Sequence, residues 1–151
     1  MEPKSTAERI YKKEIYDQQY VLIHPNNIAL IGITEEHPII KENLEINSIS
    51  FEVNGINRLK NNVKGIKKKG GQFFQVNDTI CELKCSNQKT YKIISPIKGK
   101  LIEINELIIS NHNLIKQDNY DTGFISIVQK TMEISTKRRR KNKKNQKQTK
   151  N

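Results

Sequence analysis

"YKIISPIKGKLIEIN", residues 91–105, sets the reading of the whole chain. Two runs of alternating apolar residues flank Ser95-Pro96. A residue before proline is driven to extended conformations, and proline has no N–H to give a strand ladder. The chain is therefore expected to turn a corner here and to begin a new strand after Lys98-Gly99.

The same period of two runs outward in both directions. "INSISFEV" places Ile49, Phe51 and Val53 on one face and Ser48, Ser50 and Glu52 on the other, and "GFISIV" alternates likewise. Further strands are expected near residues 20–24, 28–33, 63–66, 79–84 and 90–95, giving an all-β domain of short strands. Turn residues separate them at Pro25-Asn26-Asn27, Asn54-Gly55, Lys69-Gly70-Gly71, Asn77-Asp78, Ser86-Asn87 and Lys98-Gly99. These types tolerate positive φ or bond their own backbone. Isoleucine leads the apolar set, and β-branched side chains pack well on a pleated surface. Residues 1–18 form an N-terminal segment with one short helix expected over 4–18, residues 19–130 form the domain, and residues 131–151 form a tail.

Charge divides the chain sharply. Of 27 Lys and Arg, nine fall within residues 137–151, where there is no Asp or Glu. The remainder carries 18 basic against 16 acidic residues, so the net charge of +11 belongs mostly to the tail. With no apolar residue to bury, "KRRRKNKKNQKQTK" is expected to be disordered. Its core, Lys137, Arg138, Arg139, Arg140, Lys141, Lys143 and Lys144, fits a nuclear import signal or an arm for RNA or DNA. Neutralising most of nine phosphates predicts a log–log salt slope of about −5 to −6 on a single strand. The tail holds no aromatic residue for stacking, so sequence-specific recognition by it is not expected. A second basic group, Arg58, Lys60, Lys64, Lys67, Lys68 and Lys69, is the expected binding surface of the folded body, with a solvated face as the plain alternative.

Cys81 and Cys85 lie four apart in "ICELKC". In a strand their Cα atoms stand about 13 Å apart, too far for a disulfide. Both are read as core residues, with Leu83 between them on the same face. Zinc ligation by these two with His24, His37 or His112 lacks a metal-binding spacing, and no metal or cofactor is expected. The three histidines are read as surface residues. No enzyme signature is present at a recognisable spacing. The first twenty residues lack the apolar stretch of a secretory signal, and the six-residue run "IALIGI" is far short of a membrane span. The expectation is a soluble, intracellular protein without membrane contact.

"VKGIKKKGGQFFQVNDTICEL" and "IKGKLIEINELIISNHNLIKQDNYDTGFISI" repeat one layout of strand, loop and strand, which suggests two halves related by a pseudo-twofold. This layout resembles the barrel-sandwich hybrid of biotinyl and lipoyl domains and of the glycine cleavage H protein. There, a hairpin before the "SPIKGKLIEIN" pattern presents a modified lysine at its tip. Counting back from Pro96 by the spacing of such domains lands on Gln88, with Lys89 one residue away. One residue of slip turns a strand side chain to the other face.

A closer resemblance covers about three quarters of the chain. The ordered blocks "HPII", "INSISFEV", "NRLKNNVKGIKKKGGQFF", "ICELKC", "YKIISPIKGKLIEIN" and "TGFISIV" are similar to the Abitram family, also called Simiate. The resemblance implies a non-catalytic, actin-binding regulator of actin assembly and protrusions, found in nucleus, including nuclear speckles, and in cytoplasm. It assigns actin contacts to no residue. Two alternatives stay open, a nucleic-acid-binding module using the tail and a lipoyl or biotin carrier modified at Lys89.

Overall fold

A computed structural model describes residues 12–61, 63–64 and 69–131. The elements run β1 (Lys12–Tyr16), β2 (Gln19–Ile23), β3 (Ile28–Ile33), α1 (Pro38–Lys41), β4 (Ile46–Ser50), β5 (Glu52–Val53) and β6 (Ile56–Asn57). They continue with β7 (Val63–Lys64), β8 (Lys69–Gly70), β9 (Phe73–Phe74), β10 (Thr79–Cys85), β11 (Thr90–Ile94), β12 (Gly99–Ile104), α2 (Leu107–Ser110), α3 (Leu114–Gln117) and β13 (Ser126–Lys130). None of the described helices is long and apolar enough to cross a membrane.

Two main sheets face each other. The larger has the order β1-β2-β3-β13-β12-β9 and the smaller β11-β10-β4, with β5-β6 and β7-β8 as separate hairpins. Alternation decides which residues lie between the sheets. Cys81, Leu83 and Cys85 are buried on β10 while Lys84 points outward, as the period of two requires. Phe51 and Val53 turn inward and Ser48, Ser50 and Glu52 outward, again as the pattern predicts. Ile31, Phe74, Leu83, Ile93, Leu101 and Val128 join in one apolar cluster.

The corner at Ser95-Pro96 carries the chain from the smaller sheet to the larger. β11 ends at Ile94 in one sheet and β12 starts at Gly99 in the other. Ser95 is fully buried, and its Oγ donates to Ile97 O at 2.7 Å. Gly99 is required by close approach, because a Cβ there would run into the backbone oxygen of Gln129 on β13. A second clip joins the sheets. The buried Gln19 amide donates to Ile94 O at 2.7 Å and accepts from Ile94 N at 3.0 Å, pairing with that residue as a neighbouring strand would.

Residues 105–125 cover one end of the core. Ile108 of α2 and Ile115 of α3 are fully buried. Asn105 holds the segment, donating to Thr122 O at 2.7 Å and Phe124 O at 2.8 Å. Tyr20 donates from its hydroxyl to Asn119 O, and its ring packs 4.7 Å from that of Tyr120. Lys13 lies over the Tyr120 ring at 4.1 Å.

Three expectations about the secondary structure and the repeat are corrected. Lys12–Tyr16 is a strand, not part of a helix over 4–18, and it extends the larger sheet before residue 19. Asp17 at φ 59° reverses the chain so that Tyr16 pairs with Gln19, and ladder bonds override the helix propensity of "KKEIY". The remainder of that segment, residues 4–11, and the tail from 132 lie outside the described residues. Among the described residues three single-turn helices appear where none was expected. Four residues apiece is too short for a 3.6-residue period to show. The internal repeat is carried over only in part: β9 and β12 pair antiparallel as a twofold would place them, but β10 and β13 belong to different sheets.

Gln19→Ala should leave both backbone groups of Ile94 unpaired and lower stability by about 2–4 kcal/mol. Gln19→Glu, which keeps the acceptor and loses the donor, should fall between it and the native chain. Urea unfolding of the three proteins checks the order.

Candidate functional site

Two places in the fold are candidates on the strength of the sequence: the hairpin between β10 and β11, and the base of the basic loop. The hairpin is tight. Gln88 N donates to Cys85 O at 3.1 Å and Cys85 N donates to Lys89 O at 3.0 Å, so Ser86 and Asn87 form the apex. Gln88 follows at φ 66°, the left-handed residue that closes a three-residue hairpin loop. Lys89 is exposed but already faces Cys85 across the ladder, and Thr90 starts β11.

This apex is held against the body of the protein. Ser86 N donates to Glu45 O at 2.9 Å, and Glu45 N donates to Ser86 Oγ at 3.3 Å. Asn87 donates to the Tyr91 hydroxyl at 2.9 Å and accepts from Lys89 N at 3.1 Å. A lysine bearing a swinging arm has to stand clear at the apex. Here the apex is serine and asparagine, and Lys89 lies at the root of the returning strand. The residues therefore do not fit a lysine-borne lipoyl or biotinyl group.

The basic loop is anchored from beneath. Arg58 is 7% exposed and is not the surface cation expected from the sequence. Its Nη1 donates to Gln72 Oε1 and its Nη2 to Thr79 O, both at 2.8 Å, and the guanidinium lies 4.9 Å from the Phe74 ring centre. Burial lowers its pKa and the charge of Asp78 opposes that shift. The Arg58 Nε is buried without a partner among the described residues. Gln72 continues the network to Asn57 O at 2.9 Å, and Asn61 accepts from Gln72 N at 2.7 Å. Local sequence could not signal this, because Arg58 finds its partners 14 and 21 residues away.

Of the other expected cations, Lys60 is exposed. Lys64 and Lys69 lie in the paired strands β7 and β8, where they are register partners. Lys67 and Lys68 lie outside the described residues, as do Lys137, Arg138, Arg139, Arg140, Lys141, Lys143 and Lys144. The anchored network thus sets the two ends of the loop from Asn61 to Gln72.

His37 is buried, which corrects the reading of all three histidines as surface residues. It caps α1, accepting from Ile39 N at its Nδ1 at 3.2 Å, and its ring meets Tyr91 edge-on at 5.4 Å. Burial lowers its pKa to about 4, against a smaller opposing effect of Asp17. Cys81 and Cys85 are free thiols, and burial raises the pKa of both. Among the described residues no three His, Cys, Asp or Glu gather to hold a metal ion.

Comparison with known proteins agrees with this architecture. A family model described as Glycine cleavage H-protein matches residues 34–151. Protein Abitram of Dictyostelium discoideum is 42% identical over 75% of this chain and 62% of its own length. Protein Abitram of Danio rerio is 34% identical over 72% and 62%, and that of Xenopus tropicalis 32% over 80% and 69%. The chain belongs to the Abitram family. It spans 62% of the length of the first two of these relatives. The crystal structure of a glycine cleavage system H protein from Mycobacterium marinum superposes with a TM-score of 0.58, covering 79% of this chain and 83% of that one. At 18% identity that likeness concerns the fold, the barrel-sandwich hybrid expected from the sequence. Family membership and the two-sheet architecture meet in a domain of H-protein type whose hairpin apex is Ser86-Asn87.

Arg58→Ala should lower stability by about 2–4 kcal/mol by stranding Gln72 and Thr79 O. Proteolysis within residues 57–72 should quicken before the rest of the chain is attacked. His37 gives a pH dependence of definite sign. Its folded pKa near 4 is below the ordinary 6.5, so protonation favours the unfolded chain. Its contribution is full above about pH 6.5 and is lost as pH falls from there to about 4. His37→Asn, which retains a capping acceptor, should remove this component from urea midpoints measured at pH 7.5 and 4.5.

Proposed function

We propose that this chain is a non-enzymatic, actin-binding regulatory protein that alters actin assembly and resides in both nucleus and cytoplasm. In the nucleus it would include nuclear speckles, and in the cytoplasm actin-rich protrusions. The reading rests on membership of the Abitram family, supported by one structural observation. The position from which a domain of this fold presents a cofactor is occupied by Ser86-Asn87 and bonded down to Glu45. A tied apex without a lysine argues for a scaffold used in binding.

A second reading is favoured by charge. Nine basic residues within 137–151, with no acidic residue among them, suit RNA, DNA or an import receptor. The two readings are compatible if body and tail act separately. The folded body then engages actin, and the tail directs nuclear entry or holds an anionic partner.

Fluorescent-actin assembly tests both, using the full chain beside a variant with Lys137, Arg138, Arg139, Arg140, Lys141, Lys143 and Lys144 changed to Gln. Both proteins should change assembly at physiological salt. An effect confined to the unaltered tail and to low salt would reduce the actin reading to nonspecific charge. No effect from either protein would sink it. Intact mass of the protein from cells should show no lipoyl or biotinyl addition, and such an addition at Lys89 would instead make the chain a carrier.

A further inference from the structure

The smaller sheet ends on β4, whose second edge carries no strand among the described residues. A free edge presents unpaired N–H and C=O groups and is a template for another strand. Along it runs a groove of about 380 Å³ whose lining includes Ser48, Ile49, Ser50 and Leu59. The groove adjoins a second hollow of about 280 Å³, with Ile109 and His112 lining both. The edge is closed at its ends, where Ile46 O meets His112 Nδ1 at 3.2 Å and Phe51 O accepts from Arg58 N at 2.8 Å. Between these ends the outward N–H and C=O are those of Ile49, because Ser48 and Ser50 face Lys84 and Glu82 of β10.

Apolar seats and charge define what fits there. Leu59 and Ile109 are 47% and 42% exposed, large apolar side chains left uncovered in one groove. Glu45 lines one hollow and Glu52 the other, both are exposed, and neither is in an ion pair among the described residues. Among the described residues no Lys or Arg lines either hollow. Lys84 is opposite Ser48 on the adjoining strand and lies outside both linings.

We propose that the β4 edge takes an extended peptide segment of a partner protein as an added strand. The segment carries apolar side chains at alternate positions, for Leu59 and Ile109, and Lys or Arg at its flanks, for Glu45 and Glu52. Main-chain bonding supplies affinity in such a mode, and the alternate side chains supply selectivity. A second copy of the chain fits poorly. Antiparallel pairing of two β4 edges about Ile49 places Glu52 of each copy opposite Ile46 and so beside Glu45 of the other, which like charges oppose. The chain's own tail fits poorly as well. Its basic residues all follow Met132 and Ile134, with Glu133 between those two, so it offers cations to one end of the groove only. The proposal goes beyond the actin reading and does not rest on it.

The test is selection of a random octapeptide library displayed on phage against the full chain at physiological salt. Selected sequences should alternate apolar residues between basic flanks. A synthetic peptide of the selected sequence should bind about tenfold more weakly to the Glu45→Gln/Glu52→Gln protein and to Leu59→Ser. Its binding should slow amide exchange at Ile49, whose N–H points away from β10, and thermal unfolding of the free variants should stay close to that of the native chain. The proposal is overturned if no sequence is enriched, or if those selected bind the variants equally well or protect another strand. It also falls if peptides are selected only after the tail is neutralised, which would make the tail the occupant. A concentration-dependent dimer abolished by Ile49→Pro, which removes the outward N–H, would give the edge to a second copy.

Discussion

Gln19 offers its side-chain amide to the backbone of Ile94 as a neighbouring strand would, and the two-sheet body depends on that exchange. β2 belongs to the larger sheet and β11 to the smaller, and the chain itself crosses between them only one residue later. β11 is an edge strand of its sheet, so the N–H and C=O of Ile94 that point away from β10 have no strand partner among the described residues. A buried N–H or C=O left unpaired there costs about 1–3 kcal/mol. Gln19 meets both needs with one planar group, and Ser95 N donating to Asp78 O at 2.8 Å meets the next. The corner at Pro96 is stable because its surroundings complete the hydrogen bonds that proline interrupts.

The same solution recurs at two other irregular places. Asn105 ends β12 by taking two carbonyl groups of the covering segment, and Asn61 reaches Leu101 O at 2.6 Å. Arg58 does this with a charge, and its burial is tolerated because two carbonyl-type oxygens and an aromatic face replace water. A small β domain has little apolar area per residue. Side-chain amides and one guanidinium therefore hold irregular segments that packing alone would leave loose.

What could be read in the sequence follows from the range of the forces involved. Period-two alternation is local, so the inward faces of "INSISFEV" and "ICELKC" and the corner before "KGKLIEIN" were legible. Turn residues were legible for the same reason, with Asn27, Asn54 and Asn77 all at positive φ. β1 was not, because "KKEIY" becomes a strand only through its pairing with β2. Arg58 and His37 looked like surface residues because their types usually are, and only contacts distant along the chain reveal otherwise. Gln19 gave no local signal, since Ile94 is 75 residues away. At the hairpin, the displaced lysine was visible, but the bonds from Ser86 to Glu45 were not.

Those bonds bear on where function can lie. In a carrier the hairpin is the working end, and the edges of the sheets need only be quiet. Here Ser86 ties the hairpin to Glu45, one residue before β4, so apex and edge are mechanically joined. Tyr91 touches Asn87 of the apex and the ring of His37, which extends the same support to α1. Fixing the apex makes the loop poor at reaching a distant site and good at holding β4 still. A strand held still, with one edge open, loses little further freedom when another strand is added to it. The feature that disqualifies the hairpin as an arm thus prepares the neighbouring edge as a surface for binding.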